Sequence, residues 1–338
     1  MAINPSFPGH EKQRADLSAL EAGVRVGNRQ ALAQAITLVE SEQKDDQISS
    51  AMLLSRLTEG HPSETSFRLG ITGNPGAGKS TLIEALGQHW INQGEKVAVL
   101  AIDPSSSQRL GSILGDKTRM EQLSKRKEAF IRPSPSSGAL GGIHRHSPEV
   151  IALFEAAGYQ RIIIETVGVG QNETSVQNVV DFTLLIALPG AGDEVQGLKR
   201  GVMEAADLLW VNKADGERKV AAKLATVHLQ QALSLFHRED DRAIEVLTGS
   251  AIEKDSLNPL WEALDRGMRW GIATGRTEER RKHQRGKRLR ELIQQGLWNT
   301  VSAEHNLMNA IEKRVVSGEL SPSEGALEFL RHLVTEND

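Results

Sequence analysis

Arg68–Thr81 reads RLGITGNPGAGKST, and the rest of the chain is understood outward from it. Leu69 and Ile71 form a short apolar run that feeds a glycine-rich turn. Gly78-Lys79-Ser80-Thr81 then opens a helical pattern through Leu82, Ile83, Ala85 and Leu86. The spacing is G-x-x-x-x-G-K-[ST], with its first glycine at Gly73. Gly73, Gly76 and Gly78 admit backbone conformations that a side chain would block, so successive N–H groups can turn toward phosphate oxygens. Those groups sit at the start of a helix, where the dipole favours an anion. Lys79 can reach a β- and a γ-phosphate, and the Ser80 hydroxyl is suited to Mg²⁺. Gly73, Asn74, Pro75, Gly76, Ala77, Gly78, Lys79, Ser80 and Thr81 are therefore the expected phosphate cradle.

Composition bounds what such a cradle serves. The 338 residues suffice for one large domain or two smaller ones. Apolar residues make up 39% and charged residues 25%, as in soluble globular proteins. A net charge of −4 argues against general nucleic-acid binding. No apolar run approaches the length of a membrane span. The opening MAINPSFPGHEKQR lacks an apolar signal core, so a cytoplasmic location is expected. The absence of cysteine excludes disulfides, thiolate metal sites and a cysteine nucleophile.

Seven apolar runs alternate with helical stretches from Phe67 to about Leu247: FRLGIT, KVAVLAID, AFIRPS, RIIIETVG, DFTLLIALP, ADLLWVNK and AIEVL. Runs of this kind are strands buried on both faces. They predict an α/β fold, a P-loop NTPase with a mainly parallel β-sheet flanked by helices. Before them lies a helical pattern, with a frayed tail at 1–10, punctuation at Gly23 and Gly27-Asn28, and a polar break at SEQKDDQ. After Asn258-Pro259 the chain is helical again. The expected division is an N-terminal helical extension at 1–62, a P-loop domain at 63–257 and a C-terminal helical arm at 258–338. The extension is expected to pack onto the main domain.

Ligands of parallel sheets bind beyond the carboxyl ends of the strands, and these runs end in chemically apt residues. KVAVLAID ends at Asp103, suited to Mg²⁺ directly or through water, and Asp116 is a second carboxylate in the loop that follows. RIIIETVG places Glu165 at a strand end with Gly168 three residues on. There the acid approaches the Mg²⁺ shell, and the glycine N–H can bond the terminal phosphate. Val169 follows Gly168 where Ras-like proteins carry the glutamine that orients water, so slow intrinsic hydrolysis is expected; Gln171 is a weak substitute. Ser147 is the expected N-cap of the next helix, with Pro148 at its first position. His144 and His146 lack a carboxylate or cysteine partner and read as a solvated loop. The segment ALPGAGDEVQGLKRG, with Asp193, Glu194, Gln196, Lys199 and Arg200, is either a solvated loop or a third nucleotide-responsive one.

DLLWVNKAD ends in Asn212, Lys213 and Asp215. The Asp215 carboxylate can accept from N1–H and the 2-amino group of guanine, which adenine does not offer together. The last strand run leads into Ser250 and Ala251, which are suited to closing over the base. The basic run TEERRKHQRGKRLRELIQQ has no interleaved aromatics and reads as a solvated helix face or a subunit contact, not as an RNA site. Leu289, Leu292, Leu297 and Trp298 give the arm an apolar side consistent with dimer packing. Ser321-Pro322-Ser323-Glu324 is a capping box.

Taken together, GNPGAGKST, DPSS with GSILGDKTRM, RPSPSSGALGG, ETVGVGQNE, PGAGDEVQGLKRG and NKAD resemble one family over almost the whole chain. It is the GTPases that act as chaperones of cobalamin-dependent methylmalonyl-CoA mutase, the MeaB/ArgK type. That resemblance implies GTP/GDP and Mg²⁺ as ligands and Ser80, Asp103, Asp116 and Glu165 as metal residues. It assigns Asp103 and Asp116 to a first switch and Glu165–Gly168 to a second. A third switch would hold Asp193, Glu194, Gln196 and Lys199 and couple nucleotide state to the mutase. Lys79, Glu165 and Lys199 become the catalytic candidates. The family is typically homodimeric through its C-terminal helices, and its partner is a cobalamin-dependent acyl-CoA mutase; no nucleic acid or membrane is implied. One departure is Leu110-Gly111, where the family usually carries a glycine pair. Two other readings are a metal insertase, disfavoured by the lack of cysteine, and a kinase of a small molecule or transport protein.

Overall fold

All seven apolar runs form strands: β1 (Phe67–Gly73), β2 (Val97–Asp103), β3 (Ala129–Pro135), β4 (Arg161–Glu165), β5 (Phe182–Ala187), β6 (Leu208–Val211) and β7 (Glu245–Thr248). They build one seven-stranded sheet in the order β3-β2-β4-β1-β5-β6-β7, with every neighbouring pair parallel. The computed structural model describes residues 16–59, 66–103, 120–135, 145–166, 173–190, 200–234 and 243–335. Outside the described residues lie the expected tail at 1–10, the extension boundary at 62, Leu110, Gly111 and Asp116. His144, the Gly168–Gln171 stretch, and the third-switch residues Asp193 to Lys199 lie outside as well.

The chain leaves β1, builds β2 and β3 outward, and returns to insert β4 between β2 and β1. It then crosses to β5 on the other side. This makes β1 central and sets its carboxyl end beside that of β4, the place where a parallel sheet opens a ligand crevice. Alternation within each strand divides the core in two. Leu184 and Ile186 of β5 face a cluster with Leu69, Ile71 and Trp210. Helices α4 (Lys79–Asn92), α5 (Glu121–Ser124) and α9 (Asn258–Ala273) cover this face. Each fully buried Leu or Ile, such as Leu82, Ile83 and Leu86 of α4, contributes roughly 1.5–3 kcal/mol. On the opposite face Leu185, Leu209 and Val211 meet α7 (Arg200–Ala205) and α8 (Lys219–Leu233).

The N-terminal extension is part of this second face. Helices α1 (Leu17–Arg25), α2 (Arg29–Val39) and α3 (Lys44–Thr58) share a cluster with Leu100, Ile162, Ile164 and α6 (Ser147–Ala156). Their limits follow from capping. Asp16 accepts from the N–H of Ser18 and Ala19, and Asn28 from those of Gln30 and Ala31. Gly23 lies inside α1 and does not break it; a Cβ there would stand 2.6 Å from Ala31 Cβ, so the residue serves close approach of α1 to α2. The polar break shrinks to 41–43, because Asp45 and Asp46 favour the first turn of α3. Ser147 is the first residue of α6, not its cap, and its hydroxyl is buried without a hydrogen bond.

At the amino ends of the strands the basic run takes an unexpected role. The chain divides into two compact units, Met1–Arg281 and Lys282–Asp338, and the division falls inside α10 (Arg276–Ala303). Arg281 belongs to the first unit, and its side chain is 2% exposed. Its Nε and Nη2 donate to the Asp181 carboxylate, and Nη2 also donates to the Ser66 carbonyl at 2.9 Å. Asp181 accepts from the Arg68 N–H as well, and Arg68 pairs with Glu155 through two bonds of 2.8 and 2.7 Å. Arg280 binds Asp207, whose carboxylate also accepts from the Thr183 N–H. The start of the basic run is thus a buried anchor and not a solvated face.

In the second unit, α11 (His305–Val316) and α12 (Pro322–Thr335) bury Ile311 and Phe329. The capping box forms: Ser321 Oγ accepts from the Glu324 N–H, and Glu324 accepts from the Ser321 N–H. Leu297 is 64% and Trp298 67% exposed, so among the described residues this apolar side is uncovered.

Candidate functional site

The loops after β1, β6 and β7 and the carboxyl end of β4 lie at the same edge of the sheet. Gly73 has φ +146°, and a Cβ there would lie 2.3 Å from the Ile186 carbonyl oxygen of β5. Gly78 has φ +90°, and its Cβ would meet Asn212 Nδ2 at 2.5 Å. Both positions demand glycine for conformation and for space. Helical bonding in α4 starts with the Leu82 N–H to the Gly78 carbonyl at 3.0 Å. The backbone donors of the first turn therefore face out of the helix end toward the loop. Lys79 Nζ folds back across the loop and donates to the carbonyls of Gly73 (2.7 Å) and Asn74 (3.2 Å). The loop thus combines the first-turn N–H groups of α4 with the Lys79 ammonium, an arrangement that attracts a polyphosphate.

Pairing of Ile71 with Glu165 brings β4 level with this loop. The Ser80 hydroxyl donates to Glu165 Oε1 at 3.0 Å. Two of the four metal residues expected from sequence are therefore in direct contact. The backbone of Asp103 ends β2 on the same edge of the sheet. Asp116, Gly168 and Lys199 lie outside the described residues. Among the described residues no three His, Cys, Asp or Glu side chains gather. Mg²⁺ takes one or two protein oxygens and fills its shell with phosphate and water, so hard oxygens from Ser80 and Glu165 fit it.

The loop after β6 is joined to the cradle through Asn212, which is 1% exposed. Its Nδ2 donates to the Ala77 carbonyl at 2.7 Å. Its Oδ1 accepts from the Ala251 N–H at 3.0 Å and from Trp210 Nε1 at 3.3 Å. One side chain thus fastens the phosphate loop, strand β6 and the loop after β7. One amide N–H remains over for a ligand. Lys213 takes φ +58°, a strained value for lysine that turns the chain sharply toward Asp215.

Asp215 and Ser250 come together: the Ser250 hydroxyl donates to Asp215 Oδ2 at 2.6 Å. Ser250 is itself held by Ser256, whose hydroxyl accepts from the Ser250 N–H at 2.9 Å. The Ser250 hydroxyl, and after it the Arg218 guanidinium, holds the Asp215 carboxyl below its usual value of 3.8. The acceptor is therefore an anion at neutral pH. Sequence reasoning did not select Arg218, Trp210 or Ser256. Arg218 had a local signal, three residues after Asp215 across a Gly-containing turn; the other two act through contacts no spacing reveals.

The sequence matches the family model "Methylmalonyl Co-A mutase-associated GTPase MeaB" over residues 32–306. It is 45% identical over 319 residues to a probable GTPase of Mycobacterium tuberculosis, covering 93% of this chain and 94% of that protein. To the GTPase ArgK of Escherichia coli it is 41% identical over 317 residues, covering 93% and 95%. Its fold superposes on the crystal structure of a LAO/AO transport system kinase with TM-score 0.72 and 34% identity, covering 98% and 99%.

Proposed function

The chain belongs to the methylmalonyl-CoA mutase-associated GTPase family, and on that premise we propose that it is a GTP-hydrolysing chaperone of a cobalamin-dependent acyl-CoA mutase. Its task is to gate loading of adenosylcobalamin and to protect and reactivate the loaded enzyme, with methylmalonyl-CoA mutase as the partner. The observation that carries the guanine part is the anionic Asp215 beside Ser250, tied through Asn212 to the phosphate loop. The family description carries the mutase part.

In this reading Asp215 takes N1–H and the 2-amino group of guanine, and Ser250 and Ala251 close over the base. Lys79 exchanges the Gly73 and Asn74 carbonyls for β- and γ-phosphate oxygens. Ser80, Glu165, Asp103 and Asp116 would hold Mg²⁺, which supplies neutralisation of the phosphate charge when bound. Gly168 senses the γ-phosphate, and Lys199 acts in the third switch. Val169 offers no side-chain carboxamide to orient water, which keeps hydrolysis slow in the absence of the partner. The arm at 258–338 joins two copies through Leu289, Leu292, Leu297 and Trp298. No helix among the described residues is long and apolar enough to cross a membrane, and the proposed setting is the cytoplasm.

The test is transfer of adenosylcobalamin into purified methylmalonyl-CoA mutase with GTP, GDP or a non-hydrolysable GTP analogue present. Transfer that depends on GTP hydrolysis and stops in Lys79→Ala is expected. Transfer indifferent to this protein and its nucleotide would remove the chaperone reading. The similarity to a LAO/AO transport system kinase supports a second reading. Phosphate recovered on an acceptor, instead of free in solution, would establish it.

A further inference from the structure

The guanine reading leaves one charged neighbour of Asp215 without a purpose. The chain turns at Asp215-Gly216-Glu217-Arg218, where the Arg218 N–H donates to the Asp215 carbonyl at 3.0 Å. This turn carries the guanidinium back onto the carboxylate of its own first residue, and Nη2 donates to Asp215 Oδ1 at 2.5 Å. The other oxygen, Oδ2, accepts from Ser250. Both carboxylate oxygens thus have a donor before any base arrives. The two donors differ. Ser250 is 1% exposed and fixed by Ser256, whereas the Arg218 side chain is 52% exposed and reaches Asp215 from solvent.

We propose that Arg218 is a built-in competitor for the guanine-recognising carboxylate, and that it sets how strictly the site demands the 2-amino group of the base. The inference rests on the guanine reading of Asp215. Guanine brings two donors to the carboxylate, and the solvent-exposed guanidinium gives way to them. An exposed ion pair of this kind lowers apparent affinity by about 1.5- to 5-fold. Inosine brings N1–H but no 2-amino group. In a site without Arg218 the oxygen it leaves unmatched loses its partner, which is the usual basis for rejecting such a base. Arg218 keeps that oxygen satisfied and so softens the rejection. It is a specificity-setting residue that tolerates inosine nucleotides at the expense of guanine affinity.

The experiment titrates fluorescent guanosine, inosine and adenosine diphosphates into the full chain, with Arg218→Ala, Arg218→Gln and Arg218→Lys as variants. The Ala and Gln variants should bind the guanosine nucleotide about 2- to 5-fold more tightly, and their guanosine-to-inosine preference should rise about 3- to 10-fold. The Lys variant should lie between them and the native chain. Rising salt should bring native and Ala affinities together, since the competition is ionic. An unchanged guanosine-to-inosine ratio, or weaker guanosine binding in the Ala and Gln variants, overturns the inference while leaving the guanine site intact. A native chain that binds the adenosine nucleotide as tightly as the guanosine one overturns the guanine reading, and Arg218's role with it.

Discussion

Replacing Asn212 by alanine tests whether the base loop and the phosphate loop are one mechanical piece. The change removes a donor to the Ala77 carbonyl at 2.7 Å and an acceptor for the Ala251 N–H at 3.0 Å. The bond from Trp210 is longer, at 3.3 Å, and counts for less. Each buried backbone group left without a partner costs about 1–3 kcal/mol. Two such groups give about 2–6 kcal/mol, and a water entering the vacated space would recover part of it. A loss of about 2–4 kcal/mol is therefore expected in the nucleotide-free protein. At about 2–4 °C per kcal/mol for a unit of this size, the melting temperature should fall by about 5–15 °C. Denaturant titration and thermal melting without nucleotide measure it. Asn212→Asp sharpens the test, since it keeps the shape but turns an oxygen toward the Ala77 carbonyl. It should cost at least as much as alanine at neutral pH and less in acid, where the carboxyl can donate. If the alanine variant loses guanine affinity but keeps its stability within about 0.5 kcal/mol, the clamp reasoning is wrong and Asn212 serves the base alone.

Three further outcomes are expected. Asp215→Asn exchanges an acceptor for a donor facing N1–H, so two charge-assisted bonds to the base are lost. Guanosine affinity should drop about 10²- to 10⁴-fold while xanthosine nucleotides gain, and unchanged guanine selectivity in competition binding would dismiss the base site. Arg281→Ala strands the buried Asp181 carboxylate and should cost about 3–5 kcal/mol in denaturant titration, with GTP turnover per folded molecule preserved. A stability equal to the native chain would mean that the anchor carries no weight. His89 stacks on Trp261 with centroids 4.8 Å apart, and burial pushes its imidazole below the usual 6.5. The folded state thus resists a proton that the unfolded chain accepts. Stability from this group is complete above pH 6.5 and declines as pH falls from 6.5 through the lower folded value. His89→Phe should flatten the stability–pH curve in that window, and an undiminished slope would reject the assignment.

What could be read from the chain was local in sequence. The seven strands and the glycine turn from Gly73 to Lys79 follow from a run and a spacing, and Ser80 and Glu165 are each legible as Mg²⁺ candidates, though not the bond between them. The same holds for Asp215, because a strand end followed by Asn-Lys-Ala-Asp carries its own context. The parts that escaped are long-range. Asn212 acts on Ala77, 135 positions away, and Arg281 acts on Asp181, 100 away. A basic run looks solvated to any window of a few residues, because the carboxylates that pair with half-buried Arg280 and buried Arg281 arrive from strand ends far upstream. Gly23 shows the same limit: its role is set by Ala31 across a helix pair, not by the break that a lone glycine suggests.

The anchor at the amino ends of the strands also governs where this protein can be cut or recombined. The turn at Thr274-Gly275, between α9 and α10, is a natural place to sever a modular chain. A cut there would remove Arg280 and Arg281 and strip the buried carboxylates of Asp181 and Asp207 of their guanidinium partners at the amino ends of β5 and β6. The smallest self-sufficient piece must therefore run through Arg281. The start of the arm is inherited with the sheet, and any exchange of arms between relatives has to splice downstream of it.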